Sequence, residues 1–130
     1  MIYFGSDFHV GHNNVISYCN RPYKDVMEMN DAIVKVMNDT IGENDTFYII
    51  GDLSLNPKWM EFVMERIVCK DVHLILGNHD SCFQKKLGAK LEKTAKMRER
   101  YFKAGIKSLD NNKMMHLGKY SVELCHFPFL

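Results

Sequence analysis

The stretch Phe47-Tyr48-Ile49-Ile50-Gly51-Asp52 holds the plan of the fold: an aromatic and β-branched run, a glycine, then a carboxylate. A continuous apolar run of that length, closed by glycine, predicts a buried strand. The same design recurs on either side. Ile2-Tyr3-Phe4 leads through Gly5 and Ser6 to Asp7, and Leu74-Ile75-Leu76 leads through Gly77 to Asn78, His79 and Asp80. Helical spacing fills the intervals. Asp25 with Glu28 gives a capping box ahead of Met29, Ile33, Val36, Met37 and Ile41, with Gly42 as a stop. Asn56-Pro57 opens a second helix that lines up Trp59, Met60, Val63, Met64 and Ile67. Strand, helix, strand, helix, strand predicts an α/β sheet with crossover helices.

Beyond the third strand the texture changes. Gln84 to Lys107 carries nine Lys/Arg against two acids, while the remainder carries eight against fourteen. This basic segment, 84–107, is mostly helical in propensity, with Gly105 as its stop, and is expected to act as a lid beside the third strand's loop. A solvated helix face is its plainest interpretation; attraction of a nucleic acid or nucleotide is the functional one. Two strands are expected afterwards, Met114–Leu117 and Tyr120–Cys125, turning at Gly118-Lys119.

The bulk properties bound the rest. At 130 residues, 46% hydrophobic and 25% charged, the chain has the size of a single domain, 1–130, and the composition of a globular protein. No apolar run is long enough to span a membrane. The start, MIYFGSDFHVGH, has no basic n-region and meets Asp7 early, so no signal peptide is expected. Four separated cysteines without a CxxC pair predict free thiols in a reducing, cytoplasmic setting, with a disulfide as the lesser alternative.

The polar residues are where chemistry is expected. Sites in open α/β sheets form beyond the carboxyl ends of strands, which is where Asp7-x-His9, Asp52 and Asn78-His79 fall. Extended backbone would send Asp7 and His9 to one side, with Phe8 facing the core. Carboxylate, imidazole and amide oxygen suit a divalent cation such as Mn²⁺, Fe²⁺ or Zn²⁺, and no cysteine is needed. Taken singly, each such residue is more often a turn or cap; jointly they are not. Met27, Met29 and Met37 are read as core packing, and His73 and His116 as structural.

In this order, Asp7-Phe8-His9, Gly51-Asp52, Gly77-Asn78-His79-Asp80 and His126 resemble the calcineurin-like metallophosphoesterase family. The stretches DFHVGHNN, YCNRPY and LCHFPF look like its small bacterial and phage members. The resemblance implies a β-sandwich with helices on its outer faces. It also implies two divalent ions, Mn²⁺ first, with Fe²⁺, Zn²⁺, Ni²⁺ or Mg²⁺ as alternatives. Asp7 and His9 would hold one ion, Asn78 and His126 the other, and Asp52 would bridge them. A metal-bridging hydroxide would attack a phosphodiester or nucleotide-type phosphoester. His79 would serve as general acid or as a donor to the phosphate, oriented by Asp80 or Asp52. On their own residue types, His12 and Asn13 suit the substrate mouth or a plain loop, and Arg21 suits a phosphate or a surface salt bridge. The family's closing Gly-His-x-His does not occur in this chain, so the last strands are expected to be missing. Three alternatives follow: a chain cut short, a degenerate member, or ligands drawn from water, His12 or a second subunit. A degenerate member would bind nucleic acid or a protein partner through the basic segment, and an open sheet edge would allow a homodimer.

Overall fold

Each of the three apolar runs is a strand, and the computed structural model describes residues 1–83 and 91–128. Strands β1 (Ile2–Gly5), β2 (Thr46–Ile50) and β3 (Asp71–Ile75) lie side by side, and β4 (Ile106–Asp110) completes a sheet of order β1-β2-β3-β4. Every pairing in it is parallel, so all four carboxyl ends share one edge.

Side chains alternate across the sheet and so sort into two layers. Phe47, Ile49, Val72 and Leu74 face the helices, packing with Val34, Met37, Met60, Val63 and Tyr101. These belong to α2 (Val26–Thr40), α3 (Pro57–Arg66) and α4 (Leu91–Lys103). Tyr48 and Ile75 face the other way, against Leu124 and Met115. Those two come from an antiparallel hairpin, β5 (Asn112–Leu117) and β6 (Tyr120–Cys125). Helices, parallel sheet and hairpin thus form the expected α/β layering, with the hairpin as the second sheet among the described residues.

The caps follow the sequence signals. The Asp25 side chain accepts the Glu28 N–H at 2.8 Å, and Asn56 accepts that of Trp59 at 3.2 Å. Two elements were not anticipated: β4, and the five-residue α1 (Asn14–Tyr18). In the basic segment, residues 84–90 lie outside the described residues, and with them part of the expected lid. The described part is anchored: Tyr101 is fully buried, Arg100 pairs with Glu61 of α3, and Arg98 donates to the Leu109 carbonyl at 3.1 Å. All four cysteines are free thiols. No helix among the described residues is long and apolar enough to cross a membrane.

Candidate metal centre

The loops after β1 and β2 continue the parallel pairing past the strand ends. Asp7, His9 and Val10 donate N–H bonds to the carbonyls of Gly51, Asp52 and Leu53, each at 3.0 Å. This track forces unusual backbone: Asp7, His9 and Asp52 have φ of 56°, 51° and 53°. Left-handed non-glycine residues cost on the order of 1–3 kcal/mol each and persist where surrounding bonds over-determine them. Asp7 and His9 do converge, but through left-handed turns rather than the extended alternation expected from the sequence.

Two side chains hold these loops from beneath. Arg21, expected at the substrate, donates instead to the carbonyls of Phe8 and Asp7 at 2.7 and 2.8 Å. Its planar fork suits two adjacent carbonyls, and it braces the loop that carries Asp7. Asp80, expected to orient His79, is buried and accepts the N–H groups of Gly77, Asp52 and Leu53 at 2.8, 2.9 and 3.1 Å. It ties the β2 and β3 loops together. Burial pushes its carboxyl up to about 6 against the pull of those three donors.

Above this scaffold lie two donor sets that share one residue. Asp7, Asp52 and His126 form one, and His9, Asp52 and His79 the other; within each set the ligand atoms lie within 4.8 Å of one another. Oδ2 of Asp52 is 3.6 Å from His9 Nε2, 3.4 Å from His126 Nε2 and 3.0 Å from His79 Nδ1. The expected pairing of Asp7 with His9 is close as well, at 3.7 Å.

These donors fit divalent cations on chemical grounds. The His126 Nδ1 lies 3.0 Å from the Ile50 carbonyl, which can only accept, so Nδ1 carries the proton. In the neutral ring Nε2 then faces the Asp52 carboxylate with a bare lone pair, an arrangement favourable only with a positive charge between them. Two atoms each about 2.1 Å from a tetrahedral ion lie about 3.4 Å apart, so the separations match shared coordination. Burial holds His9 below the ordinary imidazole range, despite Asp52 and Asp7 nearby, which keeps its lone pair free. Burial also disfavours charge on Asp52, but bonds from the His79 N–H and ring, with the His126 imidazole close by, outweigh it and hold this carboxyl below its usual value.

Two glycines make the close approach. A Cβ at Gly51, which has φ of 80°, would lie 2.1 Å from His126 Nδ1, and one at Gly77 would lie 2.3 Å from Asp52 Oδ1. Around the centre, His79 is half exposed and Asn78 places its amide nitrogen 3.3 Å from His79 Nδ1. The His12 ring lies 5.9 Å from that of His9 and 6.1 Å from that of His79, with its Nδ1 buried and unbonded among the described residues. Asn13 is exposed at the start of α1 and makes no capping bond. His73 lies away from the centre, bonded to Ser108 and Asp71, and His116 bonds Ser121 in the hairpin.

Known proteins resemble this chain in sequence and in fold. The chain is 37% identical over 86 residues to an uncharacterized protein of Methanocaldococcus jannaschii, covering 65% of this chain and 49% of that protein. It is 32% identical over 83 residues to the Gene 66 protein of Mycobacterium phage L5, covering 60% and 39% respectively. The match thus spans half or less of these relatives. A protein of unknown function from Aquifex aeolicus shares the fold, with a TM-score of 0.70 at 19% identity over 98% of this chain and 61% of that one. Residues 1–126 match the family described as calcineurin-like phosphoesterase, and this chain belongs to that dinuclear, metal-dependent family.

Proposed function

We propose that the chain hydrolyses a phosphodiester or nucleotide-type phosphoester, using two divalent cations held by Asp7, His9, Asp52, Asn78 and His126, with Mn²⁺ as the first choice. The observation that carries this reading is the buried Asp52 carboxylate, whose Oδ2 lies 3.6 Å from His9 Nε2 and 3.4 Å from His126 Nε2. When bound, such cations would offset phosphoryl charge and activate water near neutral pH.

The chain's own groups have separable tasks. His126 is set in its ligating tautomer by the Ile50 carbonyl. His79 is tied through Nδ1 to Asp52, which leaves Nε2 to carry a proton to the departing oxygen. Such general-acid work contributes about 10²–10⁴-fold. Arg21 and Asp80 are positioning residues that act through the backbone of the ligand loops.

The test is hydrolysis of bis(p-nitrophenyl) phosphate by metal-loaded protein, with bound Mn²⁺ counted by elemental analysis. Between one and two ions per chain are expected. Activity should fall at least about 10²-fold in both Asp52→Asn and His79→Ala, but only Asp52→Asn should lose metal. A folded chain that holds no metal at millimolar Mn²⁺, yet binds single-stranded nucleic acid with a steep salt slope, would overturn the hydrolase reading in favour of a binding protein.

A further inference from the structure

Beside the metal centre opens a cleft of about 390 Å³, with Leu55, Asn78, His79, Phe83, Lys93 and Met97 among its lining residues. That volume is within the range of small-molecule sites. The walls are unlike the centre next door. Phe83 and Met97 are partly buried against the helical core, and Leu55 leaves 41% of its surface open. Phe83 also packs against Phe127, with ring centroids 5.6 Å apart, and Phe127 in turn packs against the His126 ring at 5.2 Å. An apolar wall therefore runs from a metal-ligating imidazole into the cleft. Phe127 itself is 42% exposed, so this surface is not consumed by folding. Lys93, exposed on α4, supplies positive charge at the cleft's edge.

Position gives the cleft its role. His79 belongs both to the centre, through Asp52, and to the cleft wall. We infer that this cleft receives the leaving half of the substrate, and that this half is a nucleoside whose base lies on Phe83, Met97 and Leu55 and whose own further phosphate faces Lys93. The inference rests on the proposed hydrolysis and deepens it. In that reaction the water oxygen bonds to phosphorus, the ester P–O bond breaks, and the nucleoside oxygen leaves with a proton from His79. The water's proton restores His79. The departing group therefore lies on the His79 side, where the apolar wall and Lys93 are. Base stacking on an aromatic side chain is sequence-tolerant, which suits a cleft where Phe83, Met97 and Leu55 supply the apolar contacts beside the polar Asn78, His79, Asp80 and Ser81.

The experiment compares two diesters with the same thymidine 3′-phosphoryl half and alkyl leaving groups of similar acidity: thymidylyl-thymidine and the methyl ester of thymidine 3′-monophosphate. In Mn²⁺-loaded protein kcat/KM should favour the dinucleotide by about five- to a hundredfold. That ratio should collapse toward unity in Phe83→Ala and fall in Phe83→Leu, which keeps apolar volume but removes the flat face. A 3′-terminal phosphate on the dinucleotide should improve KM several-fold, and Lys93→Met should abolish that gain. Equal rates for the two diesters, or a ratio indifferent to both Phe83 variants, would overturn the assignment.

Binding gives a readout independent of turnover. Saturation-transfer NMR should place the base protons of thymidine 5′-monophosphate against the protein, more weakly in the Phe83 variants, with folding checked by circular dichroism. If no diester, bis(p-nitrophenyl) phosphate included, is hydrolysed, the activity reading fails. The cleft assignment then stands or falls on this transfer alone, and a wild-type protein that shows none refutes it.

Discussion

Asp80 is the residue on which the local backbone depends most. Its two oxygens accept three N–H bonds from two loops, and none of those donors has water as an easy substitute. Asp80→Asn replaces one acceptor oxygen with an amide donor facing N–H groups. The urea midpoint should drop by the equivalent of about 2–3 kcal/mol. Metal affinity should fall with it, because Asp52 rides on the same backbone. Gly51→Ala tests the neighbouring constraint: strained backbone and a Cβ against the His126 ring should weaken Mn²⁺ binding at least about tenfold while the helices remain, seen by calorimetry beside far-ultraviolet dichroism. At this scale the chemistry-bearing residues were legible, because carboxylate and imidazole types at strand ends are visible in the sequence. Their supports were not. Arg21 looked available for phosphate, since nothing in the sequence says that two carbonyls, of Asp7 and Phe8, would turn toward it.

Between elements, the seam from β2 to β3 carries a polar cluster outside the site. Asp71 accepts from the Thr46 hydroxyl at 2.7 Å and contacts His73 at 2.9 Å. The Thr46 bond, helped by His73 and opposed by partial burial, holds the Asp71 carboxyl below its ordinary value. A lowered carboxyl stabilises the fold above its unfolded pKa of about 3.9 and loses that contribution as pH falls through the folded value. Asp71→Asn should therefore lower stability at pH 7 and flatten its acid limb, the two proteins converging as pH falls below about 4. The effect stays under about 1 kcal/mol because the side chain is half exposed. This cluster also explains why β4 escaped sequence reading. Its run Ile106-Lys107-Ser108-Leu109 breaks the apolar pattern, since Ser108 turns inward to bond His73 and the pairing shifts register at Val72/His73. At five residues, α1 is too short for helical periodicity to register. β2 and β3 were legible because both their faces are covered, whereas β1 keeps a continuous apolar run although Ile2 and Phe4 are exposed.

The whole molecule is two layers joined at one edge. Asp7, His9, Asp52 and His79 come from the parallel sheet's loops, whereas His126 follows β6 of the hairpin. A cation held there would tie the hairpin to the sheet. Mn²⁺ at a hundred times its dissociation constant should add about 2.7 kcal/mol, which raises Tm by about 10 °C in a domain of this size. Chelator should reverse the gain, Asp52→Asn should abolish it, and amide exchange in β5 and β6 should slow most on loading. The sequence pointed to His126 as a ligand candidate, but not to the fact that it alone of the two donor sets comes from the second layer. That separation has a consequence for synthesis. As the chain leaves the ribosome, Asp7 and His9 emerge first, yet their left-handed turns need the Gly51–Leu53 backbone, and His126 arrives more than a hundred residues later. The ion-binding pocket therefore cannot assemble before His126 has emerged, so metallation would follow the joining of both layers and report that it has happened.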